Sequence, residues 1–306
     1  MDNRYAVVIG AVNLDIWGQS FAPLIPRDSN PGSIKLSAGG VGRNIANNLS
    51  LMGVRVEMLT ALGSDGWARQ LARECADAGI GLGRSVHVAG ARTSTYICLS
   101  GPDGDLAMGL SDTDITKYIT PEYIEKNLDL LSRAQLVVFD GNLTEEAMDC
   151  LTEKCPAPLF VDPVSVTKAK KLFPFLSRIH TIKPNSLEAE ALTGISDPEG
   201  AAQELVYLGV KRAFVSDGAN GMFAAHGLDS YHIPTYETRL VNATGGGDAT
   251  MAGLCRSFMD ALDIESSARY ALAAGSLAVE CEDTINPALS HSEIMKRMTE
   301  GKIYIK

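Results

Sequence analysis

Three successive glycines lead into an aspartate in the run Thr244-Gly245-Gly246-Gly247-Asp248. Glycines leave backbone N–H groups uncovered, and the largely apolar stretch Ala249–Ala261 behind them reads as a helix. A helix N-terminus carries partial positive charge, so this turn would suit a phosphate or the charge spread over a phosphoryl group. Asp248 could there accept the proton of a hydroxyl whose oxygen attacks phosphorus. Taken alone, a glycine turn closed by an aspartate cap explains the same five residues equally well.

Four other runs could act with it. Asn13 and Asp15 follow the first apolar run, and an aspartate there can accept from two vicinal hydroxyls. Ser37-Ala38-Gly39-Gly40-Val41-Gly42-Arg43-Asn44 precedes a helix; Gly39 and Gly40 let backbone approach a ligand, and Asn44 can donate and accept. Lys183-Pro184-Asn185 with Glu188 opens another helix and puts Asn185 and Glu188 on one face. That pair could order water around magnesium, although the spacing is equally that of a capping box. Ser216, Gly218 and Gly221 form a turn after a strand, either a nucleotide contact or a plain hairpin. There is no G-x-x-x-x-G-K-[ST], and Gly10-Ala11-Val12-Asn13-Leu14-Asp15 is not G-x-G-x-x-G, so P-loop and dinucleotide chemistries lack their fingerprints.

The elements that must position these residues are legible. Short apolar runs at Ala6–Gly10, Val54–Thr60, Leu136–Asp140, Leu159–Asp162, Thr181–Lys183 and Ala213–Ser216 read as buried strands. Amphipathic stretches at Asn44–Met52, Trp67–Ala78, Thr144–Glu153 and Pro198–Leu208 lie between several of them. Alternating strands and helices predict an α/β fold, a mostly parallel sheet covered on both faces. Residues 15–36 and 86–112 break the rhythm; the second reads as a hairpin turning at Gly101-Pro102-Asp103-Gly104, and together they could form a small separate sheet. The net charge of −10 disfavours a nucleic-acid polymer or an anionic membrane as partner. Six cysteines without a C-x-x-C pair, five scattered histidines and no membrane-length apolar run point to a reducing, cytoplasmic setting without structural zinc.

In this order, Asn13-x-Asp15, Gly39-Gly40…Asn44, Lys183-Pro184-Asn185-x-x-Glu188, Ser216-x-Gly218-x-x-Gly221 and the run ending in Asp248 resemble the ribokinase-like (PfkB-type) carbohydrate and nucleoside kinases over essentially the whole chain. The resemblance implies one ribokinase-like domain, 1–306, whose two irregular regions form a β-sheet lid that pairs in a homodimer. It implies ATP as phosphate donor, Asp248 as base and the Gly245, Gly246 and Gly247 amides as an anion hole. Substrate would meet Asn13, Asp15, Ser29, Gly39, Gly40, Asn44, Thr93, Tyr96, Asn142 and Lys168. ATP would meet Lys183, Asn185, Ser216, Gly218, Gly221, Thr244, Gly245, Gly247 and Asn286, with Mg2+ held through water by Asn185 and Glu188. The runs Asp28–Gly32, Gly39–Ala46, Val161–Ser165 with Lys168, and His180–Asn185 resemble nucleoside-acting members, which implies a free nucleoside phosphorylated at its 5′-hydroxyl. Ribose, fructose or another nucleoside are alternative acceptors, and a nucleoside-binding regulator without catalysis is a further one. Two departures stand out: Gly246 replaces the family's usual alanine, and Asn242 replaces an aspartate that helps bind a monovalent cation, which puts potassium activation in doubt.

Overall fold

A computed structural model describes residues 4–304 of the chain. The apolar runs pair into a nine-stranded sheet in the order Asp229–Ile233, Met222–His226, Arg212–Ser216, Thr181–Ile182, Leu159–Asp162, Leu136–Asp140, Tyr5–Ile9, Arg55–Leu59, Ile80–Gly81. From Arg212–Ser216 onward the strands are parallel, and the hairpin Met222–His226/Asp229–Ile233 adds an antiparallel edge. Tyr5–Ile9 and Leu136–Asp140 are buried along their whole length, as strands covered on both faces must be. Helices Val41–Leu51, Gly246–Met259 and Ile264–Ala278 build one core with the sheet; Glu145–Lys154, Ser186–Thr193 and Pro198–Tyr207 build the other. Side-chain caps set several helix starts, including Thr144, Asp197 and Asp263.

Strand Tyr5–Ile9 pairs with Arg55–Leu59 on one side and Leu136–Asp140 on the other. The chain builds outward on the first side, then crosses to the second. In open α/β sheets ligands bind at the carboxyl ends of strands where the order reverses in this way.

The two irregular regions supply a four-stranded sheet in the order Gly32–Gly39, Asn13–Ser20, Thr95–Ser100, Leu106–Asp112. It is mixed: the central pair is parallel and the outer pairs antiparallel. Its second half begins only at Thr95, because Val86–His87 pairs instead with Ala61–Leu62. Among the described residues no helix is long and apolar enough to cross a membrane, and all six cysteines are free.

Candidate active site

The glycine turn opens helix Gly246–Met259 and places Asp248 in its first turn. Gly245 has φ 85, and the Thr284 carbonyl fills the space a side chain would need, so only glycine fits. A Cβ at Gly246 would lie 2.8 Å from Cγ1 of Val279, so an alanine here would require Val279 to move. Asn44 donates from Nδ2 to Oδ2 of Asp248 at 2.9 Å. Burial, together with the negative charges of Asp162 and Asp140, pushes the Asp248 carboxyl up to about 7 against the pull of the Asn44 hydrogen bond and Lys183. As a residue Asp248 is nonetheless only partly buried. A carboxylate with these properties is poised to take a proton near neutrality.

Beneath this turn lies a buried ion pair. Lys183 Nζ stands 3.1 Å from Oδ2 of Asp162, with side chains only 6% and 8% exposed. Burial works against the Lys183 charge, but Asp162, Glu188 and Asp248 together hold its ammonium above the usual range.

The acceptor side shows unspent hydrogen-bonding capacity. Oδ1 of Asn13 and Oδ1 of Asp15 are buried without a partner among the described residues. Buried acceptors of this kind are costly unless a ligand completes them. The Asp15 carboxyl lies where a Gly39 side chain would stand, and burial raises it to about 6 while Arg43 opposes the rise. Gly40, with φ 95, caps helix Val41–Leu51. Asp140 ends its strand fully buried and accepts amides from Ala11 at 3.2 Å, Gly42 at 3.1 Å and Asn142 at 2.9 Å. One carboxylate thus ties together the loops at the strand crossover. Lys168 donates to Oδ1 of Asn142; burial lowers its ammonium and Asp140 partly restores it.

On the opposite side of the turn, Asn185 and Glu188 form a reciprocal capping box: each side chain accepts the other's amide at 2.9 Å. Burial pushes the Glu188 carboxyl up. The bland and the chemical readings of this motif therefore occupy the same geometry. Ser216 bridges to Asn185 across the strand ends, and Gly218 and Gly221 take left-handed turns beside it. Asn242 accepts the Thr244 amide and donates to the Glu282 carbonyl, both at 2.9 Å. Asn286 donates to the Leu277 carbonyl at 2.7 Å and so anchors the following loop to helix Ile264–Ala278.

A cavity of about 810 Å3 separates the small sheet from the main body, lined by Trp17, Lys35, Ser37, Arg43, Gln70 and Asn242 among others. Lys35 and Asp283 close an ion pair across it. The cavity stops short of Asp248; from its wall Arg43 donates to Asn44, which in turn donates to Asp248. The lid residues named from the sequence fall differently. Ser29 is exposed on the 21–31 loop, and both the amide and hydroxyl of Thr93 are spent on Asp65. Tyr96 packs edge-on to Trp17 at 6.5 Å between ring centroids. Arg43, Asp140 and Trp17 were not singled out as site residues. Asp140 and Trp17 meet partners far along the chain, Ala11 and Gly42 for the one and Tyr96 for the other, whereas Arg43 bonds its near neighbours Ala38 and Asn44.

The ordered motifs and the sheet with its small companion converge on one family. The pfkB carbohydrate kinase profile matches residues 3–291, and the chain belongs to that family. It is 38% identical over 302 residues to the pseudouridine kinase of Escherichia coli (strain K12), covering 96% of both chains. A solved carbohydrate kinase from Agrobacterium tumefaciens is 26% identical, with a TM-score of 0.86 over 98% of both chains. Arabidopsis thaliana ribokinase, solved with ribose and ATP, shares the fold at 21% identity and a TM-score of 0.83 over 96% of this chain and 98% of its own. The protein is a phosphotransferase that acts on a hydroxyl group.

Proposed function

We propose that this kinase transfers the γ-phosphate of ATP to the 5′-hydroxyl of free pseudouridine, with Asp248 as general base. The observation that carries the chemistry is the Asp248 carboxylate itself: it opens a glycine-lined helix N-terminus, is pushed up to about 7, and is held through one oxygen by Asn44. Asp248 takes the hydroxyl proton as that oxygen forms its bond to the γ-phosphorus. The bond from that phosphorus to the β,γ-bridging oxygen breaks, and ADP leaves. The amides of Gly245 and Gly247 are assigned to the developing charge, while that of Gly246 donates to the Ala243 carbonyl at 3.4 Å and would have to exchange that contact to join them. Asn13 and Asp15, with their unspent buried oxygens, grip the ribose hydroxyls.

The substrate choice is supported by the 38% identity to a pseudouridine kinase and by the resemblance of the runs at 28–32, 39–46, 161–165 and 180–185 to nucleoside-acting members. The cavity walled by Trp17 and Ser37 has room for a nucleobase. Asn185 and Glu188 would hold magnesium through water: the capping box engages Oδ1 of Asn185 and one oxygen of Glu188, Oε2, and leaves the second Glu188 oxygen outside it. That ion supplies charge neutralisation on the phosphates. The residues fit a monovalent cation poorly, because Asn242 directs an N–H at the Glu282 carbonyl. Turnover should therefore not require potassium. A homodimer through the small sheet belongs to the same reading, since its edge strand Leu106–Asp112 is exposed throughout and carries Leu106, Met108 and Leu110. Six free cysteines suit a cytoplasmic enzyme.

The test is ADP release with ATP and Mg2+ against pseudouridine, uridine, cytidine, adenosine, ribose and fructose. The highest kcat/KM is expected with pseudouridine. Higher values with ribose, fructose or another nucleoside would replace the substrate, and no ADP with any of them would support a catalytically silent binding protein.

A further inference from the structure

Arg43 lies between the cavity and the base. Its side chain lines the cavity beneath the small sheet, yet the residue is only 7% exposed. One guanidinium nitrogen, Nη1, donates to the Ala38 carbonyl at 3.4 Å and to Oδ1 of Asn44 at 3.3 Å. The guanidinium also reaches the thiol of Cys75 on helix Gly66–Asp77, and its Nε is buried without a partner among the described residues. Burying an arginine this deeply against largely neutral partners is costly, so a structural filler of similar size would be the cheaper solution.

What the arginine adds is direction. A terminal amide has an acceptor end and a donor end of nearly equal shape, and its neighbours decide which way it points. Arginine has only donors, so it can face only the Oδ1 end of Asn44. That turns Nδ2 toward Oδ2 of Asp248, where it donates at 2.9 Å. The reverse orientation would set Oδ1 of Asn44 against a carboxylate oxygen and would leave an N–H facing the guanidinium. Both contacts are repulsive.

We infer that Arg43 is a positioning residue for phosphoryl transfer: it fixes the Asn44 amide, which holds one oxygen of Asp248 and leaves the other for the acceptor hydroxyl. The inference rests on Asp248 acting as base. The charged groups that bear on Asp248 are Asp162 and Asp140 at neighbouring strand ends and Lys183 beneath the turn. Those near Arg43 are Asp15, which its charge influences, and Glu74 on the cavity wall.

A double-mutant cycle tests this. Purified R43M, N44A, R43M/N44A, R43K and D248N are compared for kcat, acceptor KM, ATP affinity and the acidic limb of the pH profile. R43M should lower kcat about tenfold, the scale of losing one hydrogen bond to a charged group. ATP affinity should stay as in the parent protein. The acidic limb should move to higher pH, because the Asn44 bond is one of the contacts that holds the Asp248 proton affinity down. R43K, which keeps a donor on this side, should recover activity to within about threefold. In the N44A background, R43M should add less than about a twofold loss, since both changes break one chain of contacts. R43L, which likewise removes every donor, serves the same cycle if R43M does not fold. Full multiplication of the two losses, or an R43M enzyme within about twofold of the parent with an unmoved limb, would overturn the inference. Near-parental turnover by D248N would instead remove the base assignment, a separate outcome read from a separate variant.

Discussion

Replacing Asp248 with asparagine keeps the side chain's size and removes its proton-accepting oxygen. Loss of a positioned general base lowers kcat by about 10²–10⁴-fold. The same change should make the protein more stable, and the reason is the burial that makes Asp248 useful. Its carboxyl is raised from 3.8 in the unfolded chain to about 7 in the fold. Between those values the folded state keeps a proton that the unfolded state has released. Stability of the parent protein therefore falls as pH rises through this window, and the full cost is present above about 7. At about 1.4 kcal/mol per pH unit the upper bound is about 4 kcal/mol. Solvent on the cleft side, and the contacts from Asn44 and Lys183 that favour a charged partner, reduce the expected gain to about 1–3 kcal/mol. Urea unfolding of both proteins at pH 5 and pH 8 reads it, beside ADP release. D248N should gain stability at pH 8 and roughly a third to a half as much at pH 5. Turnover within tenfold of the parent would refute the base assignment. A stability change of the opposite sign, or one equal at both pH values, would refute the argument that burial sets the proton affinity.

Further perturbations probe the surroundings. Lys183→Met leaves Asp162 charged, buried and unpaired, and should cost about 3–5 kcal/mol in urea unfolding, with part regained in the Lys183→Met/Asp162→Asn double variant. Gly246→Ala should be tolerated better when Val279 is also alanine, because the contact of 2.8 Å is then relieved; equal cost in both backgrounds would show that Val279 is not the obstacle. Exchanging potassium for sodium or tetramethylammonium should change turnover less than about twofold, and a larger dependence would mean that Asn242 does not exclude the cation. The proposed dimer through the exposed edge of the small sheet should be lost in Leu110→Glu, read by sedimentation; a parent protein that is itself monomeric, or a variant of unchanged mass, would contradict that interface.

Much of the scaffold can be read from local pattern. Leu136–Asp140 and Leu159–Asp162 form strands over the range their apolar runs mark, and Thr144 caps the helix that its position announces. These features depend on neighbours in the chain, so a window of sequence contains their cause. The reach of the small sheet was less legible: Val86–His87 has strand character, but its partner at Ala61–Leu62 is set by tertiary packing. Asn185 and Glu188 show a different limit. Their spacing specifies a capping box, and the box is there, but whether the same side chains also serve a ligand depends on Ser216, Lys183 and Asp162 nearby. Arg43 sits inside the glycine run before its helix, but residue type and spacing do not say what it does there. Its partners include Asn44 beside it, and its consequence lies across the fold at Asp248, 204 positions from Asn44.

The central claim is most directly tested by one competition. Equimolar pseudouridine, uridine and ribose are offered together with limiting ATP and Mg2+; the phosphorylated products are separated by reversed-phase chromatography against standards, because the pseudouridine and uridine monophosphates are isomers of equal mass, and the phosphorylated carbon is read by proton–phosphorus NMR. Most of the phosphate is expected as a monoester on the 5′ carbon of pseudouridine. Phosphate found chiefly on uridine or ribose, or at another hydroxyl of pseudouridine, would contradict it.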